Sequence, residues 1–241
     1  MRLFDVSSDL VDFAITTFDV SPERLAALLP RGIEPERVTL DDGHERALVS
    51  AVTFVNTRFF VGYAPFVRLR CAQTNYRAYV RRGPERGCHF FATHLDHPFV
   101  VMPRYGWKMP WSRSHVTLET RWSGERLERL EWNGVGGEGV ERLVARGRSE
   151  PTGTRWGFED EASTAQMLTA PLLGWLRRRD DRIATYSVWH APLALERCDV
   201  DEARFECWER LGLVEKDQPP HSVLAQRLTK YLVQLPPRVV D

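Results

Sequence analysis

Lysine is scarce in this sequence. Only three of its 33 basic residues are lysines, at Lys108, Lys216 and Lys230. Arginine keeps its proton at any accessible pH, so it can bind anions but cannot form a Schiff base. Any reaction that needs a nucleophilic amine must therefore use one of these three positions.

Cysteine and long apolar runs are also sparse. The cysteines show neither CxxC spacing nor the density of a disulfide-rich domain, so we expect four buried free thiols, at Cys71, Cys88, Cys198 and Cys207. The apolar runs are far shorter than a membrane span, and the N-terminus lacks a basic region followed by an apolar one. We therefore expect a cytoplasmic protein with no membrane contact.

The charges leave no excess of either sign. The 33 basic and 33 acidic residues are mixed along the chain, whereas a nucleic-acid surface would need a clustered basic face. We expect no nucleic-acid partner.

The length of 241 residues suits one all-β unit, and neither a repeat nor a linker interrupts it, so residues 1–241 are predicted to form a single domain.

Short segments with alternating or continuous apolar residues predict many β-strands. They lie at 11–18, 47–60, 70–82, 88–95, 115–122, 182–190 and 228–235. The pattern predicts an α+β fold, mainly antiparallel β, in which a curved sheet closes on itself with a few short helices outside.

Helices are predicted at three places. Ser21 is a good N-cap followed by a proline, so a helix is expected over 21–29. An aspartate cap, an apolar stripe and Gly212 predict another helix over 201–211. Apolar residues at helical spacing over 160–179 predict one or two short helices, because Pro171 interrupts the segment.

The most informative segment is Arg70–Arg82, RCAQTNYRAYVRR. On a strand, alternate side chains share a face, so Gln73, Asn75 and Arg77 lie together and Thr74 and Tyr76 lie opposite. A strand that lines a ligand cavity has this pattern, and so does an ordinary half-solvated strand. If one of the three polar side chains points inward, all three should.

Other motifs carry less information. GVGGEG at 134–139 matches a dinucleotide pattern, but its neighbours resemble hairpin strands, so we interpret it as a turn. His94 and His97 could begin a metal site, yet zinc sites usually show a helix-borne HxxxH or paired cysteines, so we predict no metal. No GxSxG occurs that would indicate a serine nucleophile. No cofactor is expected.

The order of blocks along the chain resembles the YqjF-like family of uncharacterised proteins, in the acetoacetate-decarboxylase-like superfamily. The matching blocks span roughly residues 13–236. They are SPERLAALLPRGIEP, TNYRAYV, GCHFFATHLD, RYGWKMPW and VWHAPLAL. The family commonly has Glu-x-Asn-x-Arg-x-Tyr-Val in the pocket strand, where this chain has Gln73 in place of the acid.

The resemblance implies a cone-shaped antiparallel β-barrel around a dry pocket. The decarboxylases of the superfamily use a Schiff-base lysine in a motif similar to Arg, six residues, Pro, Lys, Lys. Arg104 and Pro110 keep that spacing here, but Trp111 and Ser112 stand where the lysines would be. Lys108 lies two or three residues early, and we expect it to point outward while its apolar neighbours point inward.

These features predict a small-molecule pocket that lacks the lysine pair of the decarboxylases. The expected ligand is a small organic carboxylate or carbonyl compound, bound by Arg77 and Arg104, oriented by Gln73 and Asn75, with His190 as a possible acid or base. The alternatives are a lyase or decarboxylase-type enzyme that uses Lys108, and a non-catalytic binding module. The sequence leaves catalysis and the oligomeric state open, a homo-oligomer included.

Overall fold

The structure is a computed structural model that describes residues 3–40, 43–62, 66, 68–151, 158, 167–169 and 172–240. Fourteen β-strands dominate the described part. They are β1 Val6–Val20, β2 Glu34–Pro35, β3 Arg37–Thr39, β4 Glu45–Val61, β5 Leu69–Arg82, β6 Glu85–Leu95, β7 Trp111–Ser123, β8 Arg126–Gly136, β9 Gly139–Pro151, β10 Leu173–Arg177, β11 Ile183–His190, β12 Glu196–Phe205, β13 Ser222–Val233 and β14 Arg238–Val239.

The strands form one mixed, strongly curved sheet. Most neighbours are antiparallel, but β6 pairs in parallel with β10 at one end and with β7 at the other. A ring of nine strands closes in the order β1, β4, β5, β6, β7, β8, β9, β12, β13, and β10 and β11 form a second arc from β6 to β13. The predicted α+β sheet that closes on itself is confirmed, although the ring is not a regular barrel.

The central strands are covered on both faces because two arcs leave the same sheet. In β4, every residue from Ala47 to Asn56 is buried, as its continuous apolar sequence requires. One face of β1, β4 and β5 packs with β8, β9 and β12 around Trp132 and Trp208. The opposite face packs around Phe13, Phe54 and other residues that the second arc covers.

Two short α-helices whose full bounds lie in the described part of the chain flank the sheet. The helix α1, Pro22–Leu28, starts as predicted, and the Ser21 hydroxyl accepts a hydrogen bond from the Arg24 amide. The helix α2, Glu206–Arg210, occupies only the end of the segment 201–211. That prediction is wrong over 201–205, which complete β12, because pairing with β9 outweighs the helical spacing of the apolar residues.

In the segment 160–179, where one or two short helices are predicted, residues 167–169 are helical, but the prediction is wrong where the structure describes β10. Leu173–Arg177 pair with β11 and, in parallel, with β6, and Trp175 and Leu176 are buried. A short buried strand and a buried helix have similar apolar runs in sequence. The spacing of the apolar residues alone therefore could not distinguish them. Residues 160–166, 170 and 171 lie outside the described residues.

Among the helices that the structure describes, none has the length and apolar character of a membrane span.

A short irregular segment joins β6 to β7. It contains a 3-10 turn at Pro98–Val100 and a single π-helical turn at Met102–Gly106. Lys108 then adopts a left-handed backbone with φ of 58°, an uncommon conformation for a residue other than glycine. This reversal of the backbone fixes which side chains of the segment face inward.

Candidate functional site

A cavity of about 110 Å³ lies between β1, β4, β5 and the β10–β11 arc. This space is several times what one water molecule needs. The lining is mainly apolar and aromatic, which is typical of sites for small organic molecules. Its aromatic residues are Phe13, Phe54, Phe59, Phe90, Phe99, Trp107, Trp111, Tyr186 and Tyr231.

The structure places Gln73, Asn75 and Arg77 together in the lining of this cavity. Their strand β5 pairs with β4 in a register that sets Gln73 opposite Phe54 and Asn75 opposite Val52. The period-2 alternation of the strand therefore holds over the whole segment. Whether these side chains bind a ligand stays a prediction.

Amide side chains form a ladder along one wall of the cavity. The Asn56 amide nitrogen donates to the Cys71 carbonyl oxygen at 3.4 Å and to Gln73 Oε1 at 3.0 Å. Gln73 Nε2 donates to Asn75 Oδ1 at 2.8 Å, and the Thr93 hydroxyl donates to the same oxygen at 3.1 Å. The side-chain oxygens of Gln73 and Asn75 thus accept hydrogen bonds within the wall. Asn75 Nδ2 is left as the donor of this ladder that can bond to a ligand in the cavity.

Arg77 is the cationic side chain of the lining. One terminal nitrogen donates to the Leu168 carbonyl oxygen at 2.9 Å and lies 3.3 Å from the Tyr79 hydroxyl. Its Nε is buried and has no hydrogen-bond partner among the described residues. No salt bridge joins Arg77 to a described carboxylate, so its charge is available to an anion in the cavity.

Tyr79 fixes the position of the guanidinium. Its hydroxyl contacts Ser50 Oγ at 2.9 Å and the Leu168 carbonyl oxygen at 3.2 Å, and Ser50 Oγ contacts Thr17 Oγ1 at 2.8 Å. Burial raises the pKa of Tyr79, so the phenol stays neutral and can donate a hydrogen bond. Arg77 therefore sits in a network that spans three neighbouring strands.

His190 also lines the cavity, at the end of β11. Its ring stacks on Tyr231 with the centroids 4.7 Å apart. Nδ1 lies 2.8 Å from the Ala191 carbonyl oxygen, and Nε2 lies 2.8 Å from that of Thr169. Carbonyl oxygens only accept, so a neutral ring with one N–H can satisfy one of the two contacts.

Lys108 and Arg104 do not line the cavity. Lys108 is exposed, whereas its neighbours Trp107 and Met109 face the cavity. The Arg104 guanidinium donates to the Trp111 carbonyl oxygen and lies over the Tyr105 ring. The π-helical turn thus directs Arg104 toward the backbone of β7, and whether Arg104 binds an anion stays a prediction.

The composition of the lining limits the chemistry that it can perform. Among the described lining residues there is no lysine, aspartate or glutamate. Burial raises the pKa of Tyr186, and it raises that of Tyr231 to about 12, so both phenols are neutral at physiological pH. The cavity presents a permanent cation, neutral hydrogen-bond groups and one imidazole.

Sequence reasoning missed a buried charged cluster on the opposite side of β5. Glu141 is fully buried and accepts hydrogen bonds from Thr74 Oγ1 at 2.6 Å, Trp132 Nε1 at 2.9 Å and Tyr76 Oη at 3.0 Å. The His94 ring lies between Glu141, at Nδ1, and Glu138, at Nε2. Ser112 Oγ donates to the same Glu138 oxygen at 2.7 Å.

The glycine motif explains how this cluster fits. GVGGEG contains the predicted turn: residues 134–136 end β8, residues 137 and 138 form the turn, and Gly139 begins β9. This end of the hairpin passes close to the cluster. A Cβ at Gly136 would lie 2.7 Å from His94 Nδ1, and one at Gly134 would lie 2.7 Å from a Glu141 oxygen. The spacing of these glycines was the one signal in the sequence for a close approach of this hairpin to a buried partner.

His94 and His97 do not point toward a common metal position. His94 is held by the two glutamates, whereas His97 Nδ1 accepts a hydrogen bond from the Phe99 amide at 3.1 Å and caps the 3-10 turn. Within the described part of the chain, no group of three or more ligating side chains could hold a metal ion. The absence of a metal stays a prediction, which an apo preparation free of stoichiometric zinc would support.

A protein-family model matches most of the chain. The model of DUF2071, described as an uncharacterised conserved protein family, matches residues 8–229. A search of curated proteins gave no match.

Solved structures show the same fold at low sequence identity. The acetoacetate decarboxylase of Legionella pneumophila subsp. pneumophila str. Philadelphia 1 is 13% identical, with a TM-score of 0.64 over 100% of this chain and 90% of that one. An acetoacetate decarboxylase-like enzyme from Sphingomonas wittichii RW1 is 13% identical, with a TM-score of 0.59 over 100% and 94%. The enduracididine biosynthesis enzyme MppR, complexed with the condensation product of pyruvate and imidazole 4-carboxaldehyde, is 12% identical, with a TM-score of 0.56 over 99% and 90%. The predicted relationship to the acetoacetate-decarboxylase-like superfamily is confirmed at the level of the fold.

Proposed function

The chain belongs to the DUF2071 family and has the acetoacetate-decarboxylase-like fold, and we propose that its cavity binds a small organic carboxylate or carbonyl compound without forming a Schiff base. The observation that carries this proposal is Arg77, a cavity-lining guanidinium with no salt bridge to a described carboxylate. MppR, a structural neighbour, has been solved in complex with pyruvate, which is a small carboxylate with a carbonyl group.

The wall beside Arg77 supports the same ligand class. Arg77 Nη1 and Asn75 Nδ2 make no hydrogen bond to a described residue, while the neighbouring Gln73 and Asn75 oxygens already accept hydrogen bonds. A ligand with acceptor oxygens satisfies both donors, and the guanidinium prefers a carboxylate. The aromatic lining then covers the apolar part of the ligand.

Ligand-induced thermal stabilisation tests the proposal. At one hundred times its Kd, a ligand specific to the folded state stabilises it by about 2.7 kcal/mol, which raises the Tm of a chain this long by about 5–10 °C. Acetoacetate, pyruvate and larger carboxylates are added to the wild type and to Arg77→Gln, and each variant is compared with its own ligand-free Tm. We expect shifts in the wild type that Arg77→Gln loses.

Two further variants make the test specific. Arg77→Lys keeps the charge but not the planar fork of donors, so it should retain a reduced shift. Arg121→Gln removes an exposed arginine of β7 and should behave as the wild type. Equal shifts in the wild type and Arg77→Gln would refute a role for Arg77, and no shift with any carboxylate or carbonyl compound would refute the ligand class.

The lysines support binding over Schiff-base catalysis. Lys108, Lys216 and Lys230 are all exposed, and none lines the cavity. A Schiff base needs a neutral amine held in a dry pocket beside the bound carbonyl compound, and none of the three lysines lies there. Borohydride treatment with acetoacetate or pyruvate should therefore give no adduct by intact mass. A single adduct mapped to Lys108 would restore the decarboxylase-type alternative.

A further inference from the structure

A second cavity, of about 250 Å³, lies on the outer side of β6. Successive side chains of a strand point to opposite faces, so His89 and Phe91 face this cleft while Cys88 lies in the other core. Its apolar walls come from the two helical regions, with Leu28 in α1 and Leu211 directly after α2. Nothing in the function proposed above uses this cleft.

His89 is an unusual wall residue because it is buried and incompletely hydrogen-bonded. Its exposed fraction is 2%, and its Nδ1 has no hydrogen-bond partner among the described residues. Burial and the charge of Arg177 lower the pKa of His89 to about 4, so the ring is neutral at physiological pH. An unsatisfied buried nitrogen is destabilising, and native structures seldom retain one without a function or a bound partner.

The rim of the cleft is cationic. Arg177 and Arg178 line it, and the segment 177–182 carries four arginines against two aspartates. Arg178 is already paired with a carboxylate, because its Nε and a terminal nitrogen donate to the two oxygens of Asp180 at 3.0 and 2.8 Å. Arg177 contacts Asp181 through Nε alone at 3.1 Å, and both side chains are mostly exposed. The terminal nitrogens of Arg177 can thus bind an anion.

We propose that this cleft is a second ligand site, for a small hydroxylated aromatic carboxylate. The carboxylate binds Arg177 at the rim, and the ring packs between Leu28, Phe91 and Leu211. The hydroxyl pairs with His89 Nε2, the ring nitrogen that solvent can reach and that makes no hydrogen bond to a described residue. A hydroxyl suits either tautomer of a neutral imidazole because it both donates and accepts. The site does not depend on the function of the first cavity.

Calorimetric titration of the full chain with 3- and 4-hydroxybenzoate and with benzoate tests this assignment. We expect at least one hydroxybenzoate to bind more tightly than benzoate. Arg177→Gln should weaken binding of all probes at least tenfold, and its exposed position makes the substitution mild. His89→Leu should abolish the preference for the hydroxylated probe. Arg77→Gln, which alters only the first cavity, should bind as the wild type does.

Several outcomes would overturn the proposal. One is no binding of any probe. Another is that Arg77→Gln loses binding while Arg177→Gln binds as the wild type does. This result would assign the probes to the first cavity. A preference that survives in His89→Leu would show that His89 does not bind the hydroxyl of the probe. If His89→Leu does not fold, histidine NMR resonances of the wild type decide the same point, since the His89 signals must move when the hydroxybenzoate is added.

Discussion

Glu141→Gln is the substitution for which the structure makes the sharpest prediction. The buried carboxylate receives four donors: one oxygen serves Thr74 and Trp132, and the other serves Tyr76 and His94. Glutamine has nearly the same shape but only one acceptor oxygen. Trp132 Nε1 can only donate, so the new oxygen must take that side and the new amide must face Tyr76 and His94. The imidazolium then loses one of its two anionic partners.

The cost of this substitution follows from the loss of one partner of a buried ion pair. Removing one partner of a buried ion pair typically costs 3–5 kcal/mol of unfolding free energy, and we expect about 3 because the isosteric amide keeps some hydrogen bonds. Burial alone would lower the pKa of His94, but the hydrogen bonds and charges of Glu138 and Glu141 raise it to about 9. This shift from 6.5 to about 9 is the net effect of burial and of both glutamates, so it gives the direction of the Glu141 contribution and not its size.

The pH dependence provides an independent signature. Because the folded-state pKa of His94 is raised, its contribution is fully present below pH 6.5 and is lost as the pH rises through about 9. Burial opposes ionisation of Glu138 and Glu141, but hydrogen bonding to His94 outweighs it and lowers both pKa values. Their contribution is present above pH 4.5 and is lost as the pH falls below it. Stability should therefore be maximal between about pH 4.5 and 6.5.

Thermal and urea unfolding between pH 5 and 9.5 test these expectations. At pH 6.5, Glu141→Gln should lower the Tm by about 6–12 °C, and it should flatten the alkaline decline seen in the wild type. Glu131→Gln is the matched control, since Glu131 pairs with Arg129 near the surface and should cost under about 0.5 kcal/mol. A Glu141→Gln variant that melts within 2 °C of the wild type, or keeps the full alkaline decline, would refute the role assigned to the cluster.

Two further predictions concern the same core and the thiols. Gly136→Ala should lower the Tm by several degrees because its Cβ would lie 2.7 Å from His94 Nδ1, whereas Gly106→Ala, with nothing within 4 Å, should change it by less than a degree or two; equal melting curves would contradict the close approach. All four cysteines are buried and free, and burial raises the pKa of Cys71 and of Cys198 to about 12, so a thiol reagent at pH 8 should label none in the folded chain and four in urea. Rapid labelling of the native protein would show that a thiol is accessible.

Local rules predicted the strands and the direction of their side chains. In β5, period-2 alternation alone put Gln73 and Arg77 on one face and Tyr76 on the other, as the structure has them. The cap at Ser21 likewise predicted α1, because its hydrogen bond involves only neighbouring residues. Both inferences depend on geometry within a few residues, which the sequence determines directly.

Features that depend on distant pairing were not predictable. His94 and Glu141 are 47 residues apart and meet only because the β8–β9 hairpin passes β6. Residues 201–205 have the spacing of a helix but form a strand because β9 lies beside them. Arg104 kept a spacing typical of the superfamily, yet the π-helical turn changed the direction of its side chain. In each case a neighbour from elsewhere in the chain decides the outcome.

The place of β1 in the ring has a consequence for synthesis of the chain. β1 lies between β4 and β13, with Val6 opposite Val61 on one side and opposite Val233 on the other. After β4 has emerged, the ribosome must add the 172 residues from Gly62 to Val233 before the second edge can pair. At usual rates this takes about 10 to 35 s, during which an open edge can recruit another nascent chain. Asp9, Asp12 and Asp19 place charges along that edge, which disfavours such pairing until the last long strand arrives.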